Sequence, residues 1–503
     1  MTLTAAQKRT TLLAAIMGSF VVILDSTVVN VALPAIRGDL GGGLAGQQWI
    51  VNAYLLMLGS LILIGGSLGD VYGEKRVFAI GVGGFGLASV VCAAAPSIEV
   101  LVAGRALQGG FGALCTPASL AIIVAAFNGR ERGAAIGSWT AYSGIAAVIG
   151  PLAGGWLVDT LDWRWIFALN VPFVALTLVL AARMPDLPHM GEGRTVDWVG
   201  AGLCAVGLAG PTFGLIQQPQ HGWGSPSVVL PIVVGLAIFA AFLVWERRRP
   251  DPMLPLRLFS RGNFAWGNVE TFAMYGGLGV TFFLLVLFLQ QVAGYEAFEA
   301  GLATMPATIV MFALSRRFGA LSDRHGPRLF MGLGPLVSAL GILSLLMMVD
   351  EDPSLVADVL PGVVVFAIGL SITVAPLTAA ILADAEEANA GIASGVNNAV
   401  ARVASLLATA AIGAVIGGTL DLDGFRMGLG FATILVALGG VIGLLRIRNP
   451  RREVHAEDCP GGQLAGQPKP AWCPEEEDYA VATATRADGD AAPAGAGGGA
   501  MLR

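Results

Sequence analysis

The chain reads as an all-α polytopic membrane protein of about fourteen spans. Three observations say so. Its residues are 55% hydrophobic and only 13% charged, with a mean hydropathy of +0.73, too little charge to cover a soluble chain of 503 residues. Its apolar runs are about 20 residues long, which fits helices crossing hydrocarbon and exceeds barrel strands. Its charges are sorted between alternate loops.

In chain order, a short polar segment, residues 1–10, leads straight into the first apolar run, so no cleaved leader is expected. Hydropathy then marks spans over 11–34, 49–69, 77–95, 99–126, 134–158 and 164–183. Two more follow at 196–216 and 226–245, the first of them weakened by Pro211. The remaining six run over 264–291, 300–320, 328–349, 355–381, 391–417 and 425–446. Beyond Arg446 the chain turns rich in Pro, Gly, Ala and Glu, and residues 447–503 are expected to form a disordered cytoplasmic tail.

One set of loops carries Lys75, Arg76, Arg130, Arg132, Arg183, Arg194, Arg247, Arg248, Arg249, Arg257, Arg261, Arg316, Arg317, Arg324 and Arg328. The other carries only Arg37, Arg164 and Arg426, beside acids such as Asp159, Glu296, Asp350 and Asp421. Basic loops stay inside, so both termini are expected in the cytoplasm of a bacterial cell. The loop with Asp384, Glu386 and Glu387 is acidic, but acids weigh little in this rule. The five cysteines show no disulfide or metal spacing, and the four histidines fall in loops or tail, which argues against a metal site and a membrane-embedded enzyme. No phosphate-binding G-x4-G-K-(S/T) loop is present, so neither a nucleotide nor another cofactor is expected.

Two loops resemble each other. Gly66–Arg76 after the second span and Gly319–Arg328 after the tenth both read G-x-L-x-D-x2-G-x-(K/R). A repeat at matching places in spans 1–6 and 9–14 predicts two similar halves with two helices inserted between them. The expected division is 11–183, 184–261 and 262–446.

Ionisable residues inside spans are costly and are site candidates by default. Asp25 lies about 13 Å from the outer end of the first helix and Arg105 about 9 Å deep in the fourth, at 1.5 Å per residue, depths compatible with a contact between them. Glu270 lies about 10 Å into the ninth span by the same count. Arg402 sits mid-span in the thirteenth, with Asn398 one turn before it. Asn30, Tyr54, Gln108, Tyr142 and Tyr275 are further polar or aromatic positions that suit a cavity.

The fifth span contains Gly144, then Gly150, Pro151, Gly154 and Gly155. Its side-chain-free face invites close helix contact, and its proline bends the helix. This G-x5-G-P-x2-G-G run resembles the antiporter motif of major facilitator superfamily exporters. Leu24-Asp25-Ser26-Thr27-Val28-Val29-Asn30-Val31-Ala32-Leu33-Pro34 is similar to the first-helix signature of the fourteen-span drug:proton antiporter branch. Arg105-Ala106-Leu107-Gln108-Gly109 resembles its fourth-helix motif, and Trp163-Arg164-Trp165-Ile166-Phe167 with Asn170 and Pro172 extends the match. The Gly66–Arg76 loop resembles the superfamily loop motif but departs from it at Val71 and Glu74. The resemblance implies the major facilitator fold and proton-driven export of an amphipathic drug or antibiotic, of puromycin type, by a monomer. It also implies a cytoplasmic gate at Asp70, Gly73, Lys75 and Arg76. Asp25, tuned by Arg105, is then the first candidate proton carrier and Glu270 the second. The expected partners are protons, a drug-like small molecule and the lipid bilayer, and not nucleic acid. The alternative is export or symport of an ordinary metabolite.

Overall fold

The computed structural model describes residues 3–186, 196–383 and 390–449. Among them all regular structure is helical. The helices are α1 (Ala5–Leu40), α2 (Gly43–Tyr72), α3 (Glu74–Ala93), α4 (Ile98–Ala126), α5 (Gly129–Thr160), α6 (Trp165–Ala168), α7 (Asn170–Ala182), α8 (Trp198–His221) and α9 (Pro226–Arg248). They continue as α10 (Gly262–Gln291), α11 (Ala297–His325), α12 (Pro327–Met348), α13 (Leu360–Ala383), α14 (Ala390–Ile416) and α15 (Leu422–Arg446). Fourteen of the resulting segments are long and apolar enough to span a membrane, α6 and α7 together making one of them.

Where boundaries differ from hydropathy, capping and proline chemistry explain the shift. α1 starts six residues before position 11, because Thr4 and Gln7 form a capping box that extends the helix into polar sequence. The sixth span is broken at Leu169, just before Pro172, whose missing N–H leaves the preceding turn short of a hydrogen bond. α8 runs through Pro211 and on to His221 instead of ending near 216, as membrane helices tolerate proline when neighbours repair the loss. The acidic loop group and the tail beyond residue 449 lie outside the described residues.

Short connections reverse the chain at each step, so helix ends gather on two sides. Lys75, Arg132, Arg247, Arg257, Arg324 and Arg446 mark a basic end; Asp39, Asp159, Glu296 and Asp421 mark an acidic end. Two of the basic-end turns show why the loop repeat keeps its glycine. Gly73 between α2 and α3 and Gly326 between α11 and α12 have φ of +91° and +85°, a region that side chains disfavour.

α1 packs on α4, α5 and α7, and α2 and α3 pack on α4. In the second half α10 packs on α14 and α15, α12 on α13 and α15, and α11 on α13. The halves meet along α5–α11, α2–α14 and α1–α10, while α8 and α9 pair with each other and α8 touches both α2 and α14. At the acidic end Asp159 accepts from the Ala297 and Phe298 amides at 3.1 and 2.8 Å, so its carboxylate caps the N-terminus of α11. Gln290 donates to the Val31 carbonyl at 3.0 Å, and Gln48 to that of Thr409 at 2.7 Å.

The glycines of α5 face two ways. Gly150 and Gly154 lie against Thr27 and Val28 of α1, whereas Gly144 and Gly155 lie against Phe312 and Phe298 of α11. Gly301 of α11 returns the contact, seated on the Pro151 carbonyl. Toward the basic end, Gly129, Gly133 and Gly137 meet nothing within 4 Å. The two halves are therefore drawn together beside the acidic end and separate along α5 toward the basic one.

A side chain at Gly155 would collide with the Phe298 backbone, and overpacking of this kind costs about 1–3 kcal/mol. Gly155→Val should thus open the acidic-end seam. With Asn30→Cys in a background lacking other cysteines, labelling by an impermeant thiol reagent from that side should rise severalfold; an unchanged rate would mean that this contact does not hold the seam.

Candidate functional site

The site is built on α4. Arg105 and Gln108 are spaced i, i+3 and so share the face turned to α1. Gly109 follows directly, and its bare Cα lets the Tyr54 carbonyl of α2 approach. That approach sets the Tyr54 ring against the guanidinium, with Cζ of Arg105 4.3 Å from the ring centroid.

Asp25 and Arg105 form an ion pair that is 0% and 2% exposed. The same carboxylate accepts from Gln108 Nε2 at 3.0 Å and from Asn170 Nδ2 at 2.8 Å. Arg105 also donates to the Ile50 carbonyl at 3.2 Å and to Gln108 Oε1 at 2.8 Å. Ser89 of α3 closes the network, accepting from Gln108 at 2.8 Å and from Asn170 at 3.3 Å while donating to the Phe85 carbonyl. Five helices are tied through one carboxylate and one guanidinium. Ser89 and Asn170 were not among the expected site residues. The signal for Asn170 was its place two residues before Pro172, where the helix break turns its side chain inward; Ser89 was a small polar residue in an apolar run.

A cavity of ≈ 190 Å³ lies between the halves. Ser26, Thr27 and Asn30 line it from α1, Tyr54 from α2, Arg105 from α4, and Arg402 and Ser405 from α14. Arg105 is the wall between this cavity and Asp25, which does not line it. Arg402 has no ion pair among the described residues, and its Nε has no hydrogen-bond partner. The lining thus holds two guanidinium groups, hydroxyls and an amide, and no carboxylate.

The remaining expected residues lie elsewhere. Glu270 is fully buried, against Gly439 of α15; neither of its oxygens has a hydrogen-bond partner, and no ion pair joins it to Arg402. Tyr142 is exposed on α5 and does not line the cavity, and neither does Tyr275. Asn398 is exposed one turn before Arg402 and donates to the Ser394 carbonyl. Among the loop residues, Lys75 donates to the Met184 carbonyl at 2.6 Å and pairs with Asp186 at 3.0 Å, both just past the end of its own half. Asp70 is half-buried in the last turn of α2, and Arg76 is exposed. No group of three or more potential metal ligands exists among the described residues.

Removing one member of a buried ion pair costs about 3–5 kcal/mol, because the other charge stays behind unpaired. Arg105→Ala should lose that much in a denaturant titration in detergent. In a double-mutant cycle with Asp25→Asn and Arg105→Gln, the coupling should reach about 0.5–3 kcal/mol. Additive losses would show that the two side chains do not act as a pair.

Comparison with known proteins matches this arrangement to a family. The model of the Major Facilitator Superfamily matches residues 15–409. The chain is 35% identical over 425 residues to a probable actinorhodin transporter of Streptomyces coelicolor, covering 82% of this chain and 73% of that one. It is 34% identical over 402 residues to a puromycin resistance protein of Streptomyces alboniger, covering 78% and 79%. Among solved structures, a peptide transporter superposes with a TM-score of 0.67 at 16% identity, over 86% of this chain and 93% of that one, a likeness of fold alone. With its helical bundle, its two packed halves and the match over most of its length, the chain belongs to the Major Facilitator Superfamily.

Proposed function

We propose that this transporter is a proton-coupled exporter of a neutral, acceptor-rich amphipathic compound of the antibiotic class, inserted with its basic end in the cytoplasm. Six helices, an inserted pair and six more helices form its working parts, and it needs no cofactor beyond the proton gradient. The observation that carries this reading is the placement of Arg105 between a sealed Asp25 and the central cavity. Relatives named for antibiotic transport and resistance support the substrate class.

The coupling follows from the hydrogen-bond chemistry. Ionised Asp25 accepts from Arg105, Gln108 and Asn170 and holds the guanidinium against the cavity wall. A proton on Asp25 replaces an acceptor by a donor and ends the ion pair. Arg105 then turns to the central cavity that it lines and occupies room that a substrate uses. Proton and substrate exclude each other through Arg105, which is antiport. They do not compete at a cavity carboxylate, since the lining contains none.

The same geometry selects the charge of the cargo. Arg402 repels a cation in either protonation state of Asp25. An anion would bind more tightly once Arg105 is released, so proton and anion would travel together, which is symport. A neutral molecule gains no net charge attraction from the released guanidinium and loses the room that this side chain takes, so it satisfies exchange.

The test is transport into everted vesicles acidified inside, with a panel of neutral, cationic and anionic antibiotics. A neutral compound should accumulate with the gradient, and Asp25→Asn should abolish that accumulation. Glu270→Gln should retain it. Gradient-driven uptake that survives Asp25→Asn and fails in Glu270→Gln would move the proton site to α10. Preferential uptake of cations would overturn the assignment of substrate charge.

A further inference from the structure

A second cavity, of ≈ 480 Å³, lies where α8 and α9 meet the two halves. It is about three times the roughly 150 Å³ of an apolar cavity that stays dry and takes up benzene. Its walls come from α2, α8, α9, α10 and α14, and from the segment 254–259. Leu63, Gly207, Phe239, Leu256, Phe259 and Val400 are representative, and the lining is almost entirely apolar. Such a space rejects water.

The rim at the basic end has the opposite character. Leu243 lines the cavity, and Arg247 follows one turn later on the same face of α9. Leu256 lines it too, and Arg257 is the next residue. Both arginines are exposed, and neither enters an ion pair among the described residues. From Arg247 to Arg261 the sequence holds five arginines against one acid, Asp251. This floor is built and not loose. Glu246 accepts from the Leu254 amide at 2.9 Å, while Asp197 caps α8 and bonds the Trp245 indole at 3.2 Å.

We propose that this cavity is a binding site for an anionic phospholipid, with an acyl chain in the apolar space and the phosphate between Arg247 and Arg257. A basic rim on the cytoplasmic side of an interhelical pocket is the pattern that holds anionic headgroups. An acyl chain suits the volume and the near absence of polar lining, whereas the exported compound needs the hydroxyl and guanidinium partners of the central cavity. Because α8 touches both α2 and α14, the lipid fills the corner at the seam where the two halves meet.

The experiment reconstitutes the full chain in nanodiscs that contain either phosphatidylglycerol or phosphatidylcholine bearing a photoreactive acyl chain. Peptides covering 254–259 and 396–407 should be labelled at least fivefold more by phosphatidylglycerol. Arg247→Ala with Arg257→Ala, two exposed positions that leave the core intact, should bring the two lipids to equal labelling. Ala399→Phe, which fills the cavity from α14, should lower labelling by both. Equal labelling of the wild type would overturn the proposal, as would absence of label from these peptides. So would displacement of the label by the exported compound, which would assign the cavity to the transport path.

Discussion

A charged pair buried among apolar helices imposes the strictest condition on this molecule. Asp25 is sealed from solvent and Arg105 nearly so, with only the cavity beside it, so their hydrogen-bonding atoms depend on partners in protein. Meeting that condition recruits Gln108 from the same helix, Asn170 from the broken sixth span, Ser89 from α3 and the Ile50 carbonyl from α2. The network therefore does more than bind. It fixes the rotation of five helices about their axes, which hydrophobic contact with lipid or with other helices leaves loosely specified.

The second condition is distance. A polar network of short side chains works only if backbones come close, and glycine is what permits it. Gly109 admits the Tyr54 carbonyl, and Gly150 and Gly154 admit the stretch of α1 that flanks Asp25. Gly144 and Gly155 of α5 meet α11 in the other half. One helix thus leans on the ion-pair helix and on the opposite half at once, so a change at Asp25 has a short mechanical route to the seam between them.

Much of this was legible in the residues themselves. Hydropathy located all fourteen spans, since length and apolarity are what a bilayer demands, and the depths of Asp25 in α1 and Arg105 in α4 were compatible with the ion pair they form. Rotation about a helix axis was not legible. Tyr142 and Asn398 are polar or aromatic at plausible depths, yet both are exposed and neither lines the cavity. Glu270 stood out as an intramembrane acid, but it turns toward α15 and not toward Arg402, because its direction depends on which neighbour its face meets. The absence of a carboxylate from the cavity was equally hidden: it follows from Arg105 standing in front of Asp25, a relation of depth across helices and not of sequence position.

The inserted pair α8–α9 makes the molecule lopsided. The halves meet along two long flanks, α5–α11 and α2–α14, and only the second has a helix lying across it. In a rocking motion, a part attached to both moving bodies on one flank acts as a hinge plate. The halves would then swing about that flank like a book about its spine, with the widest travel at α5 and α11, on the flank that no inserted helix crosses.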